Sequence, residues 1–260
     1  LAVSIAADDN LLKAALSPYY PSIKNAQISR ETRAGQMIVS IVKKADHWAA
    51  GADRPSLPKS EKWNVNFLHA PSTIIHPLSG ERFLVDGIGG TDLDQLKQNS
   101  LDHFSKLIVK NADGSVDYKK SYFKNWRFGA EGKLLQDDWG ALWSQLPAET
   151  RIPDHSIWAH LDLTSAFAGC FVEGDSPVLF SMQFGPVQDF IAAARSTSDL
   201  WAGSHLLSRM TWEGIKVLVS ALGLDSVLVP QLRGVAMVDA WLQQEQGLEL
   251  SLFDEIKAEW

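Results

Sequence analysis

Residues 178–208, VLFSMQFGPVQDFIAAARSTSDLWAGSHLLS, decide how this chain folds. The apolar run at 178–182 predicts a short buried strand. The Gly185-Pro186 pair predicts a turn, and Pro186 suits the first position of a helix, where its missing N–H costs nothing. A strand, a glycine turn and a helix in this order direct backbone N–H groups towards a ligand.

Two helices are predicted after that turn. Apolar residues recur at helical spacing between Val187 and Ala194 and give the first helix one apolar face. A break at residues 196–198 precedes a longer helix, predicted from Asp199 to about Leu222. A second strand is predicted over 225–229, which closes a β-α-β unit.

The remaining elements are predicted from the same periodicities. A helix is expected from about Ser29 to Ala50, and a β-hairpin over 73–84. Thr91 is expected to cap a helix that continues to about residue 107, and Asp137 starts a short helix through Leu146. A further helix is expected over about 237–246.

Composition bounds the class of protein. The chain has 260 residues, with 45% hydrophobic and 21% charged residues, which suits one large or two modest globular domains. Its single cysteine, Cys170, excludes a disulfide scaffold, and no Cys/His cluster has zinc spacing. No apolar run approaches the ~20 residues that cross a bilayer, so no membrane partner is expected and the cytoplasm is the natural compartment.

The charge balance disfavours a protein that grips nucleic acid alone. The formal net charge is −7, whereas such proteins usually carry a basic face. One basic cluster lies between residues 106 and 127, and a solvated lysine face is its favoured interpretation. The cluster comprises Lys106, Lys110, Lys119, Lys120, Lys124 and Arg127.

Several stretches carry a family resemblance. FGPVQDFIAAAR at 184–195, followed by DLWAGSHLLS at 199–208, resembles the start of the first palm domain in the large subunit of type III CRISPR RNA-guided effector complexes, closest to the Cmr-type (III-B) branch. Residues 151–166, RIPDHSIWAHLDLTSA, are similar to a second family element. Residues 44–54, KADHWAAGADR, are similar to an element of its HD-like domain.

The resemblance implies an α+β fold with two parts. A mainly helical, HD-like domain is expected over residues 1–174, with the β-hairpin near 73–84 as an insertion. The beginning of a ferredoxin-like palm domain is expected over 175–260, after a boundary at residues 174–177. Only two strands are predicted in this second part, and no second palm. The chain is therefore expected to be a piece of a larger protein.

The resemblance also implies a nucleotide site. The family holds ATP in the cleft between two palms, which makes five residues of this chain expected contacts. They are Phe184, Gly185, Gln188, Ser204 and Ser208. The alternative interpretation is that the small residues Gly203 and Ser204 only allow close helix packing.

A metal site is the next prediction. In HD-type phosphohydrolases an aspartate closes the metal site, and Asp46 occupies the similar position here. His155 and Asp162 share one face of a regular helix, whereas His160 points roughly 140° from His155, so these three side chains cannot all hold one ion. His160 is therefore the second candidate ligand, with Asp46 as its partner. The alternatives are an Asp46 paired with a local cation and a hydrogen-bonded packing histidine at 160. Asp154 is interpreted as a helix N-cap.

Two departures from the family limit the expected chemistry. The chain contains no His-Asp dipeptide, which active HD domains use to hold metal. Residues 89–92 read Gly-Gly-Thr-Asp and precede a predicted helix, so they do not match the Gly-Gly-Asp-Asp hairpin that holds metal in the second palm. No catalytic residue is therefore assigned.

The implied function belongs to the whole large subunit. It would sense target RNA and join ATP into cyclic oligoadenylates by two-metal phosphoryl transfer, using Mg²⁺ or Mn²⁺. Some relatives also cut single-stranded DNA with the HD domain. The implied partners are the other complex subunits, CRISPR RNA and target RNA. Two rivals remain: a non-catalytic scaffold with degenerate sites, and a stand-alone metal phosphohydrolase.

Overall fold

The first described elements are a long helix and a hairpin. The computed structural model describes residues 33–53, 72–76, 78–85, 93–131, 143–149, 153–173 and 176–249. Helix α1 spans Arg33–Asp53, which confirms the predicted helix apart from residues 29–32, outside the described part. Strands β1 (Ser72–Ile75) and β2 (Arg82–Val85) pair antiparallel with Thr73 opposite Leu84, so the hairpin is confirmed.

Helices α2 and α3 follow the hairpin in the chain. Helix α2 spans Leu93–Lys106, as predicted, while its expected cap at Thr91 lies outside the described residues. Helix α3 spans Tyr118–Phe128 and begins at Asp117, whose carboxylate accepts the Lys120 N–H at 2.9 Å. Most of the short helix predicted from Asp137, residues 137–142, also falls outside the described part.

Helix α4 spans Ile157–Glu173 and packs against α1. The prediction that Asp154 caps this helix is wrong. The Ser156 hydroxyl accepts the Ala159 N–H at 3.3 Å, while Asp154 is bound to the ring of His155 at 2.7 Å. A side chain two residues further from the helix cannot reach these first amides as easily as Ser156 does.

Helices α5 and α6 confirm the two helices predicted after the glycine turn. Helix α5 spans Val187–Ala192, and α6 spans Thr197–Leu222. The break between them is a cap, because the Ser196 hydroxyl accepts the Asp199 N–H at 3.1 Å. Helix α6 ends at Gly223, whose φ of +95° lies where side chains are rarely tolerated.

Neither strand predicted in the C-terminal part forms. Residues 176–186 are irregular and pair with no described strand. Leu224–Ser226 form a 3₁₀ turn, with the Ser226 hydroxyl on the Gly223 carbonyl at 2.6 Å. An apolar run becomes a strand only when a second strand pairs with it, and the described residues supply none. The predicted helix near 237–246 is confirmed as α7, Ala236–Gln244.

The main hydrophobic core joins both predicted parts of the chain. Helix α3 contributes Phe123, Trp126 and Phe128, which pack in one cluster with residues after position 176. Those later members include Trp212, Ile215, Val219, Leu224, Leu232, Val238, Trp241, Leu242 and Leu248. The α+β class is confirmed as a mostly helical chain with one two-stranded sheet. The boundary at 174–177 and the HD-like and palm identities stay predictions.

Within the described residues, no helix has the length and apolarity that a membrane span requires.

Candidate functional site

The segment 182–214 is built around two glycines of helix α6. A Cβ on Gly203 would lie 3.3 Å from Cε1 of Phe190 and 3.7 Å from Cδ1 of Ile191. A Cβ on Gly214 would lie 3.1 Å from Cε of Met182 and 3.7 Å from Cζ of Phe184. The missing side chain of Gly203 therefore lets helix α5 pack closely on α6. The missing side chain of Gly214 does the same for the irregular segment before α5. The close approach at Gly203 is made by the protein's own side chains, which favours the packing interpretation for that glycine.

The five predicted nucleotide contacts lie along this segment. Gly185 and Gln188 are exposed, and Phe184 is half-buried against Gly214. Gly214 follows Ser204 by ten residues, which places the contact of the Phe184 ring about 15 Å along the helix from Ser204. The structure thus does not bring that ring to Ser204. The assignment of the five residues to a nucleotide stays a prediction.

The two serines are linked within helix α6. Ser208 donates its hydroxyl to the Ser204 carbonyl at 3.0 Å, one turn earlier in the helix. Both residues are exposed, so their other hydrogen-bonding capacity faces solvent. The pair presents hydroxyl oxygens on one side of the helix, as the sequence predicts.

Many large apolar side chains in this part of the chain are exposed. Side chains from 178 to 210 that would normally be buried are exposed, among them Trp201 at 71%. Its other members are Val178, Leu179, Phe180, Met182, Val187, Phe190, Leu200, Leu206 and Met210. Exposed large apolar side chains in this number are typical of an interaction site in soluble proteins. We call these ten residues the 178–210 apolar surface.

The two predicted metal ligands contact each other. His160 on α4 donates its Nε2–H to Oδ1 of Asp46 on α1 at 3.1 Å, and the side chains are 13% and 26% exposed. Ala45 and Ala49, both fully buried, let the two helices approach closely enough for this contact. The structure therefore brings the two predicted ligands together. Metal binding stays a prediction, because no three His, Cys, Asp or Glu side chains of the described residues form a metal-sized group.

The other acids and histidines near α4 have separate partners. The His155 ring contacts Asp154, and the Asp162 carboxylate binds Arg233 with N–O distances of 2.6 and 2.5 Å. The geometric argument that His155, His160 and Asp162 do not share one ion therefore agrees with the structure. Burial raises the pKa of Asp162, and Arg233 acts in the opposite direction.

Sequence reasoning missed the partners of two arginines. Arg127, assigned to a solvated lysine face, has a side chain that is only 5% exposed and binds Asp239 at 2.8 Å. Arg233 donates hydrogen bonds to Asp162, which lies 71 positions earlier in the sequence. The predicted solvated face is wrong for Arg127, because its guanidinium is enclosed by the carboxylates of Asp239 on α7 and of Glu131. No local spacing signals such distant pairs. Lys106, Lys110 and Lys119 are exposed, as expected.

A family model and two known proteins match this chain. Residues 179–257 match the family described as "CRISPR-associated protein Cmr2, N-terminal". The chain is 41% identical over 125 residues to the "CRISPR system Cmr subunit Cmr2" of Pyrococcus furiosus, covering 48% of this chain and 13% of that protein. It is 32% identical over 117 residues to the corresponding subunit of Saccharolobus solfataricus, covering 43% of this chain and 11% of that protein.

The chain thus spans a small fraction of the length of both relatives. The family match contains helices α5, α6 and α7 and the stretch at 184–208, while the similar stretches at 44–54 and 151–166 lie outside it. Residues 179–257 are therefore similar to the Cmr2 N-terminal family, and the predicted resemblance to the Cmr-type (III-B) large subunit of type III CRISPR complexes is confirmed.

Proposed function

We propose that this chain is part of a large subunit that senses target RNA in a type III-B CRISPR effector complex and converts ATP into cyclic oligoadenylates. The observation that carries the proposal is the 41% identity to the Pyrococcus furiosus subunit together with the family match at 179–257. The partners we propose are the other subunits of that complex, CRISPR RNA and target RNA.

The residues we assign to ATP lie where a ligand can reach them. Gly185 is exposed and has no side chain, so a base or phosphate can approach its backbone. The exposed amide of Gln188 offers both donors and an acceptor, and the Ser204 hydroxyl offers one more donor. Mg²⁺ or Mn²⁺ would supply charge neutralisation for the phosphates. No carboxylate of this chain is assigned to that metal.

The 178–210 apolar surface supports a palm domain that continues beyond the described residues. Residues 178–182 are an exposed apolar run with strand-like composition and without a strand partner in the described part of the chain. Further strands of a ferredoxin-like sheet would pair with this run and bury its side chains. The matched segment is 13% of the Pyrococcus furiosus protein, so relatives contain ample sequence for such a sheet.

Reconstitution tests the ATP reaction. The complete natural polypeptide is assembled with the other subunits and CRISPR RNA, then incubated with labelled ATP and Mg²⁺ or Mn²⁺, with and without target RNA. We expect cyclic products that depend on target RNA. Gln188→Ala should lower their rate at least tenfold, while Gln183→Ala, an exposed neighbour on the same segment, should not.

The outcomes of this experiment test the assigned ATP contacts and the proposed cyclase function separately. Equal rates for the two glutamine variants would contradict the assigned contacts. Normal assembly without any product would contradict the cyclase and leave the scaffold role. That role is the second candidate function, and the 178–210 apolar surface and the net charge of −7 favour it, because both suit docking to proteins better than gripping nucleic acid.

A nuclease activity of the N-terminal part is a separate proposal. Asp46 and His160 supply two donor groups of kinds that a divalent metal accepts. The described residues do not complete the coordination, so no step of hydrolysis is derived from them. If the pair binds a catalytic metal, Asp46→Asn and His160→Gln should each abolish metal-dependent cleavage of single-stranded DNA by the complex. Unchanged cleavage would contradict this assignment.

A further inference from the structure

Three polar pairs connect residues before position 174 to residues after position 176. They are Asp162 with Arg233, Tyr122 with Asp225, and Arg127 with Asp239. In each pair one partner lies on a helix of the first predicted part and the other in the segment 225–239. We call these six residues the polar clasp.

The Asp162–Arg233 pair is the most constrained of the three. Arg233 binds both carboxylate oxygens of Asp162, and its Nε donates to the Trp126 carbonyl at 2.6 Å. The guanidinium also lies over the Trp126 ring, 5.0 Å from its centroid. The planar fork of Arg233 is therefore held on two edges and one face, and this fixes both position and orientation.

Tyr122 joins α3 to the turn that ends α6. Its hydroxyl donates to Oδ1 of Asp225 at 2.7 Å and accepts the Leu224 N–H at 2.8 Å. Gly223 leaves the space for it, since a Cβ there would stand 2.6 Å from the Tyr122 oxygen. Burial raises the pKa of Tyr122, which keeps the hydroxyl protonated and able to donate.

Arg127 makes the third connection. Its Nε and one terminal nitrogen donate to the two oxygens of Asp239, at 2.8 and 3.1 Å, and the other terminal nitrogen binds Glu131. Asp239 stands in the first turn of α7. Helix α7 is thereby attached to the C-terminal end of α3.

Helix α4 carries two of the features described above. His160 faces Asp46 on α1, while Asp162, two residues later and about 200° around the helix, binds Arg233. The 3₁₀ turn at Leu224–Ser226 contacts α4, α3 and α6. A continuous set of contacts therefore runs from the Asp46–His160 pair to helix α6.

We infer that the polar clasp fixes the orientation of α4 relative to α6, so that the two predicted parts of the chain form one rigid unit. Buried ion pairs add little net stability, because desolvation offsets their attraction, so we assign these pairs to the geometry of the chain and not to its stability. The shared apolar core alone tolerates sliding of packed helices, whereas three bonded pairs of fixed geometry do not. The Asp46–His160 pair is thus held at a set distance from the 178–210 apolar surface. This inference does not rest on the proposed function.

A distance distribution tests the inference. Spin labels are placed through an unnatural amino acid at Lys43 on α1 and Ala221 on α6, both exposed, in the complete polypeptide. Pulsed dipolar spectroscopy should give one narrow distance. Arg233→Gln should broaden the distribution at least twofold. Arg209→Gln is the matched control, since it removes an exposed arginine from an ion pair within α6 and should leave the width unchanged.

A second variant separates geometry from folding. The double variant Asp162→Leu with Arg233→Met replaces the charges by apolar groups of similar size, which should retain a folded chain. The inference expects a broadened distribution in this folded variant as well. A distribution in the double variant as narrow as that of the wild type would overturn the inference. Broadening in Arg209→Gln equal to that in Arg233→Gln would overturn it as well.

Discussion

His103 is a buried histidine with an asymmetric environment. Its side chain is 1% exposed, and its Nε2–H donates to the Gly129 carbonyl at 3.0 Å. Trp143 donates to the same carbonyl at 2.8 Å, so that oxygen has accepted its two bonds. Nδ1 of His103 meets no partner among the described residues. Burial lowers the pKa of His103, with Lys106 adding a smaller effect in the same direction, and the folded protein therefore holds the ring neutral.

This environment predicts a loss of stability in mild acid. The unfolded chain takes up a proton at His103 near pH 6.5, while the folded chain resists it. The free energy of unfolding should therefore be constant, as far as His103 is concerned, above that pH. It should fall as the pH drops from about 6.5 towards the lowered folded value, by at most about 1.4 kcal/mol per pH unit.

Urea unfolding between pH 5 and 8 measures the effect. His103→Phe keeps an aromatic ring beside Phe104 and Trp143 and should lose this part of the pH dependence. His205→Gln, at an exposed position of α6, should keep it. Identical pH profiles for wild type and His103→Phe would show that His103 is not the titrating group. Neither the burial nor the bond to Gly129 could be read from the sequence, because residues 103 and 129 meet only in the folded chain.

The contact between α5 and α6 belongs to the scale of elements. Gly203 places the two helices so closely that even a Cβ would lie 3.3 Å from the Phe190 ring. Gly203→Val should push α5 away, because overpacking a tight contact typically costs about 1–3 kcal/mol. Hydrogen exchange of the amides in the last turn of α5, which are the ones bonded within so short a helix, should then accelerate at least tenfold.

The neighbouring residue gives the matched control. Ala202 is exposed on the same helix, so Ala202→Val has the same β-branched side chain without the contact. It should leave exchange in α5 within about twofold of wild type. Equal acceleration in both variants would mean that helix propensity, rather than the Gly203 contact, controls the position of α5.

Elements with a strong local signal were predictable from the sequence. The spacing of apolar residues and the break at Ser196 indicate helix α6. The turn residues indicate the hairpin. The run at 178–182 has the composition of a strand, but a strand also needs a partner, which local composition does not specify. The strand predicted over 225–229 does not form. Hydrogen bonds to Tyr122, more than a hundred residues away, hold the start of this segment in a turn.

At the scale of the whole molecule, the family resemblance was predictable from the sequence, whereas the contacts between the two predicted parts of the chain were not. The motif at 184–208 is long and local, and the comparisons match that region. The pairing of Asp46 with His160 was predictable because the family resemblance, and not the spacing, linked two positions 114 residues apart. The polar clasp and the shared core cross the predicted boundary at 174–177 and depend on the folded topology, so no sequence pattern indicated them.

The central claim is that this chain is part of the large subunit of a type III-B complex. Native mass spectrometry tests it most directly, on material purified from the source cells through a tag on the natural polypeptide. We predict a polypeptide well above 28.7 kDa, bound in one assembly with other effector subunits and a CRISPR RNA. A polypeptide that carries neither RNA nor any CRISPR subunit would contradict the account.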